Sequence, residues 1–215
     1  MKIEIRNLSK TFKNYTVIKN VNIIFESGNI YGLIGRNGSG KSVFQKLICG
    51  LYLPTSGKIF YNNIDINEEN NYPQNVGALI EHPSFFPDLT GYQNLKMLSD
   101  IQHKIGNSEI ENILKIVNLY DEKDKKVSKY SLGMKQKLGI AQAIMENPDV
   151  IILDEPFNGI DRESVKKISK YLVNKKKEGK LIIISTHIIE DIKEISDYII
   201  KINEGTVCEE KKELN

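Results

Sequence analysis

Between the apolar run Ile30-Tyr31-Gly32-Leu33-Ile34 and a segment with helical spacing lies Gly35-Arg36-Asn37-Gly38-Ser39-Gly40-Lys41-Ser42, a complete Gly-x-x-x-x-Gly-Lys-Ser loop. Such a loop requires a strand that ends where it begins and a helix that starts at its lysine. Its glycines let the backbone turn so that N–H groups point inward around an oxyanion, and the helix start adds partial positive charge at the same point. Lys41 is expected to reach the β- and γ-phosphates of a nucleotide and Ser42 to ligate magnesium. Gly35, Asn37, Gly38, Ser39, Gly40 and Val43 complete the expected nucleotide-binding stretch.

Composition narrows the class. A chain of 215 residues can bury roughly 70% of its unfolded surface, enough for one domain over 1–215. Thirty basic and 28 acidic residues leave a formal charge of +2, too balanced to make nucleic acid the expected partner. The lysine groups at 123–126 and 175–177 read as solvated faces and helix ends. Cys49 and Cys208 stand far apart, in no Cys-x-x-Cys pair or His/Cys cluster, so neither a zinc site nor a disulfide scaffold is expected. The start, Met1-Lys2-Ile3-Glu4-Ile5-Arg6, lacks the apolar stretch of a signal peptide, and no apolar run approaches the ~18 residues that span a bilayer. The expected location is cytoplasmic.

The spacing predicts strands over residues 1–34: Ile3 and Ile5 alternate, as do Val21, Ile23 and Phe25. A helix over 41–50, closed by Gly50, precedes a strand at Gly57–Tyr61 and a turn at Asn62-Asn63. The middle changes character. Thr90-x-x-Gln93 and Ser108-x-x-Glu111 read as two capping boxes, the second introducing Ile110, Ile113, Leu114 and Val117 on one helical face. Residues from about 84 to 130, followed by a helix from Ser131 to Met145 that Pro148 stops, form an inserted helical portion at about 84–145. Val150–Asp154 is then a strand buried on both faces, Asp161 caps a helix ended by Gly179, and Leu181–Ser185 is a second buried strand tipped by Thr186 and His187. The expected fold is α/β with a mostly parallel sheet, an N-terminal antiparallel part and an inserted helical subdomain. In such sheets ligands sit beyond the carboxyl ends of the strands, where the phosphate loop, Asp154-Glu155 and His187 all fall.

A phosphate loop followed far downstream by an apolar strand ending in Asp-Glu supplies a cradle, a metal ligand and a group that orients water. Asp154 is expected to hold magnesium and Glu155 to polarise the attacking water. At this point the chain resembles the nucleotide-binding subunits of ATP-binding cassette (ABC) transporters, a phosphate-loop NTPase family, over nearly its whole length. Tyr130-Ser131-Leu132-Gly133-Met134-Lys135-Gln136-Lys137 resembles the cassette signature, usually Leu-Ser-Gly-Gly-Gln, with Leu132 and Met134 as departures. The resemblance implies that Ser131 and Gly133 close over the γ-phosphate held by a second subunit. It also implies that Asp161 faces that subunit and that His187 contacts the γ-phosphate beside Glu155. Phe12, with Tyr15 nearby as a substitute, falls where the family places an aromatic on the adenine.

Glu81 stands where the family usually ends a strand with a magnesium-ligating glutamine. A carboxylate can still bind the metal, but it adds negative charge beside the phosphates, so nucleotide affinity is expected to depend more strongly on magnesium. Glu81, the segment Pro83–Leu95 and the altered signature resemble the branch serving bacitracin-resistance and lantibiotic-immunity exporters. The resemblance implies ATP and Mg2+ as cofactors, catalytic roles for Lys41, Glu155 and His187, and metal ligation by Ser42, Glu81 and Asp154. It also implies a homodimer held at the inner membrane face by a permease that docks near Phe85-Phe86. A non-transport cassette ATPase is the alternative; it calls for a coiled-coil insertion, tandem cassettes or a basic stripe, and the sequence carries none. His82 and His103 read as surface or packing residues.

Overall fold

The computed structural model describes residues 1–68 and 71–211. It opens with a long antiparallel hairpin, β1 (Lys2–Phe12) and β2 (Tyr15–Glu26), in which Ile3, Ile5 and Leu8 face inward with Ile18, Val21, Ile23 and Phe25. The alternation slips around Asn7 and Asn20, which take φ of 50° and 45°, so strict period-two reading fails in mid-strand. Next come β3 (Ile30–Ile34), α1 (Lys41–Ile48), β4 (Ser56–Tyr61) and β5 (Ile64–Asp65). Asn62 and Asn63 both have positive φ, as the tight two-residue turn between β4 and β5 requires.

β6 (Val76–Leu79) leads into α2 (Gly91–Gln102), α3 (Asn107–Ile116) and α4 (Leu132–Ile144). The chain then alternates through β7 (Val150–Asp154), α5 (Arg162–Lys177) and β8 (Leu181–Thr186), and ends in a hairpin of β9 (Tyr198–Asn203) and β10 (Thr206–Lys211). One sheet has the antiparallel order β2-β1-β4-β5; the other has the order β10-β9-β3-β8-β7-β6 and is parallel except for the β9/β10 edge. The antiparallel part, the parallel sheet and the helical insertion thus lie where the sequence spacing predicts them.

The parallel sheet is buried on both faces. Val150, Ile152, Leu181 and Ile183 join α1 and the antiparallel sheet in one core, whereas Ile151, Leu153, Ile182 and Ile184 join α2–α5 in another. Each fully buried Ile or Leu contributes about 2 kcal/mol by leaving water. Phe44 of α1 packs against Phe25, ring centroids 6.4 Å apart, which clamps α1 between the sheets and fixes the loop at its N-terminus.

One predicted start is corrected. The box at Thr90/Gln93 forms in full, but α3 is not capped at Ser108 with Glu111; it begins after Gly106, whose N–H donates to Glu109 Oε2 at 3.0 Å. The Ser108 hydroxyl donates to that same carboxylate, so Glu109 rather than Glu111 takes the reciprocal position.

Contact between β6 and α4 is as close as backbone allows. A Cβ added at Gly77 would stand 1.8 Å from the Ala143 carbonyl oxygen. Gly77→Ala is therefore expected to lower stability by about 3 kcal/mol through forced separation of strand and helix. Urea denaturation checks it, and an unchanged midpoint would refute the close packing.

Candidate functional site

The loop after β3 and the carboxyl end of β7, two strands that flank β8 in the sheet, meet at a cleft of about 210 Å³. α1 starts from Gly40 at φ 105°, with no side chain capping its first turn, so the leading N–H groups are left for a ligand. Gly38 is also left-handed, at φ 80°. A Cβ on Gly35 would lie 2.5 Å from the Ile202 carbonyl oxygen, so the loop closes onto β9 only with glycine there. Ser39 Oγ is buried without a hydrogen-bond partner. Asn37 and Val43 line the cleft, and Val17 of β2 forms its outer wall.

Lys41 is almost fully buried. Its ammonium donates to the carbonyls of Gly35 at 2.7 Å and Arg36 at 3.3 Å, and lies 3.6 Å from Glu155 Oε1. Ser42 Oγ donates to Asp154 Oδ2 at 2.5 Å. The other Asp154 oxygen accepts from Ser185, whose hydroxyl lies 3.3 Å from Gln45 Oε1. The Gln45 amide reaches the Leu153 carbonyl at 3.4 Å. Gln45 and Ser185 are wholly buried and brace Asp154, yet no motif in the sequence marks either. The available signal was a polar residue inside an apolar strand or helix face.

Glu155 follows β7 at φ 46°, a left-handed conformation that costs about 1–2 kcal/mol outside glycine. Its backbone is held on both sides: its N–H donates to the Ser185 carbonyl at 2.9 Å, and its carbonyl accepts from Gln136 Nε2 at 3.1 Å. The carboxylate meets His187 Nδ1 at 2.9 Å and Asn158 Nδ2 at 3.5 Å. In the short turn after His187, burial, with the Glu155 carboxylate adding to it, pushes the half-buried Asp191 carboxyl up.

Other predicted residues stand outside this cleft. Ser131 caps α4, accepting from the Met134 N–H at 3.2 Å, and Leu132 is exposed. Gly133 lies against the loop after β7: a Cβ there would be 2.3 Å from the Gly159 carbonyl oxygen. Asp161 caps α5 through the Ser164 N–H at 2.9 Å and accepts from Lys137 at 3.2 Å. The Ser164 N–H, its hydroxyl and the Lys137 ammonium hold the Asp161 carboxyl down at about 2. Phe12 is partly exposed, edge-on to Tyr52 with centroids 5.5 Å apart, and does not line the phosphate-loop cleft. Glu81 pairs instead with Lys46, Nζ to Oε1 at 2.5 Å. Phe85 packs into the helical core, while Phe86 is exposed. His82 and His103 are exposed.

A larger groove of about 810 Å³ lies between β6, α2 and α4. It holds none of the charged groups above, so the chemistry belongs to the smaller cleft. There a strand-loop-helix phosphate cradle and an Asp-Glu pair after a buried strand stand together, with a histidine after the neighbouring strand at its border, 2.9 Å from Glu155. Residues 18–158 match the ABC transporter family. The chain belongs to that family. It is 42% identical over 211 residues to the bacitracin transport ATP-binding protein BcrA of Enterococcus faecalis, covering 97% of this chain and 68% of that protein. It is 35% identical over 210 residues to the lantibiotic transport ATP-binding protein SrtF of Streptococcus pyogenes, covering 98% and 90%. Among solved structures, an ATP-binding subunit of an ABC transporter superposes with a TM-score of 0.87 at 27% identity, over 98% of this chain and 90% of that one. The dimeric ABC transporter cassette MJ0796 gives 0.89 at 26%, over 97% and 98%. This chain is accordingly an ATP-binding, ATP-hydrolysing subunit of the family. No helix among the described residues is long and apolar enough to cross a membrane.

Proposed function

We propose that this chain, as one ATPase domain, binds MgATP, pairs with a second copy and drives a separate permease that exports a peptide antibiotic. The observation that carries this reading is the meeting of Lys41, Ser42, Asp154, Glu155 and His187 at the carboxyl ends of adjacent strands. Nucleotide phosphates enter over Gly35–Ser42, and Lys41 exchanges its loop carbonyls for phosphate oxygens. Ser42 and Asp154 present hard oxygen donors to one another and fit a magnesium ion, with Glu81, held outside the cleft by Lys46, as the further carboxylate of the set. Bound there, the ion supplies neutralisation of phosphate charge.

Glu155 takes a proton from the attacking water, and His187 holds its carboxylate in place. Phe12 offers its open face to the adenine while Tyr52 braces the ring. Ser131, Gly133 and Asp161 lie outside the cleft of their own chain and act across the dimer. Only a nucleotide with a γ-phosphate rewards that closure, so ATP favours the closed pair and hydrolysis reopens it. The permease holds the chain at the inner membrane face, with Phe86 and the helical insertion toward it.

Likeness to BcrA and SrtF supports a bacitracin or lantibiotic cargo. Expression with its permease in a sensitive bacterium tests this. Tolerance to bacitracin or to a lantibiotic should rise with the native chain and not with its Glu155→Gln variant. Normal phosphate release without protection against either peptide would overturn the cargo class.

A further inference from the structure

We propose that Lys46, one helical turn after Ser42 in α1, positions the Glu81 carboxylate and so sets how strongly nucleotide binding depends on magnesium. The proposal rests on the MgATP reading above. Ser42 and Lys46 are four residues apart in α1 and share one face of the helix, about 6 Å apart along the axis. Lys46 Nζ lies 2.5 Å from Glu81 Oε1 and 5.3 Å from the centre of the Tyr52 ring. An ammonium fixed from two sides loses little freedom in holding the carboxylate, so the contact is prepared rather than incidental. The Lys46 side chain is 18% exposed and that of Glu81 is 58% exposed, which gives the pair a partly dry partner on one side.

Glu81 follows β6 at φ 62°, a conformation unfavourable for a residue with a side chain. That turn carries its carboxylate to α1, and Glu81 is absent from the residues lining the phosphate-loop cleft. Lys46 therefore competes with the metal for one carboxylate. While the pair is closed, an incoming triphosphate meets a neutralised Glu81; once the ammonium is removed, the free carboxylate repels nucleotide without metal and favours nucleotide with it. A neutral glutamine at position 81 would feel neither force.

The purified chain titrated with a fluorescent ATP analogue, in magnesium and in chelator, reads this as the ratio of dissociation constants without and with the metal. Lys46→Met should raise that ratio about fivefold, a modest coupling between sites. Glu81→Gln should lower it, Lys46→Arg should leave it near the native value, and Lys46→Met added to Glu81→Gln should change nothing. An equal effect of Lys46→Met in both backgrounds, or none in the native background, overturns the proposal. If Lys46→Met does not fold, an unchanged ratio in Glu81→Gln overturns it and a lowered one upholds it. A native chain that binds no nucleotide in either condition fails the MgATP reading itself and takes this inference with it.

Discussion

Glu155→Gln is expected to bind ATP normally, to lose about 10²- to 10³-fold in hydrolysis and to accumulate as a dimer when ATP is present. The substitution keeps shape and removes only the ability to accept a proton, a contribution of about 10²- to 10⁴-fold for a positioned base. Shape matters because the position is over-determined. The φ of 46° is held by the Ser185 carbonyl on one side and by Gln136 of α4 on the other. A glutamine fills the same volume between Lys41 and His187, and Lys41 retains its two loop carbonyls until phosphate arrives. Binding therefore survives while the step that reopens the pair does not. Phosphate release and size-exclusion chromatography with ATP and magnesium check both halves. Turnover within a few-fold of the native chain would assign the base elsewhere, and a monomer under saturating ATP would remove the closed pair from the proposed cycle.

What could be read from sequence was local. The phosphate loop, the buried strand ending at Asp154 and the caps at Thr90 and Asp161 each depend on neighbours within a few residues, and all lie where the pattern puts them. At α3 two Glu residues both sat three places after a possible cap, and backbone geometry chose Gly106 with Glu109. The hairpin of β9 and β10 is not legible in the sequence because its anchor is distant: β9 lies beside β3, more than 160 residues earlier, with the Ile30 N–H donating to Asp197. The Lys46–Glu81 pair joins residues 35 positions apart, and the approach of Gly133 to Gly159 joins the first turn of α4 to the loop after β7. Period and capping signals carry no information about such meetings. A glycine or lysine at such a point looks in sequence like any other.

Gly133→Ala is expected to cut turnover about 10²-fold while leaving nucleotide affinity of the single chain unchanged. The early turns of α4 hold the loop from Glu155 to Asp161 at three places. Gln136 donates to the Glu155 carbonyl, Lys137 donates to Asp161, and between them Gly133 lets the Gly159 carbonyl approach to where a Cβ would be 2.3 Å away. The obstructing atom is backbone and cannot rotate aside, so the loop must shift by about 1 Å, a displacement able to cost about 10²-fold when it misplaces a reacting group. That shift acts at both ends, moving Glu155 toward one cleft and Asp161 at the face proposed to meet a partner. The phosphate loop is anchored separately by α1 and β9, so binding by one chain has no reason to change. Gly159→Ala provides the comparison. Its φ of 70° strains an alanine, but its Cβ would meet nothing within 4 Å, so it should lose far less activity. Equal turnover in Gly133→Ala and the native chain would show that the loop moves freely of α4, and the coupling of signature to base would then have no structural basis.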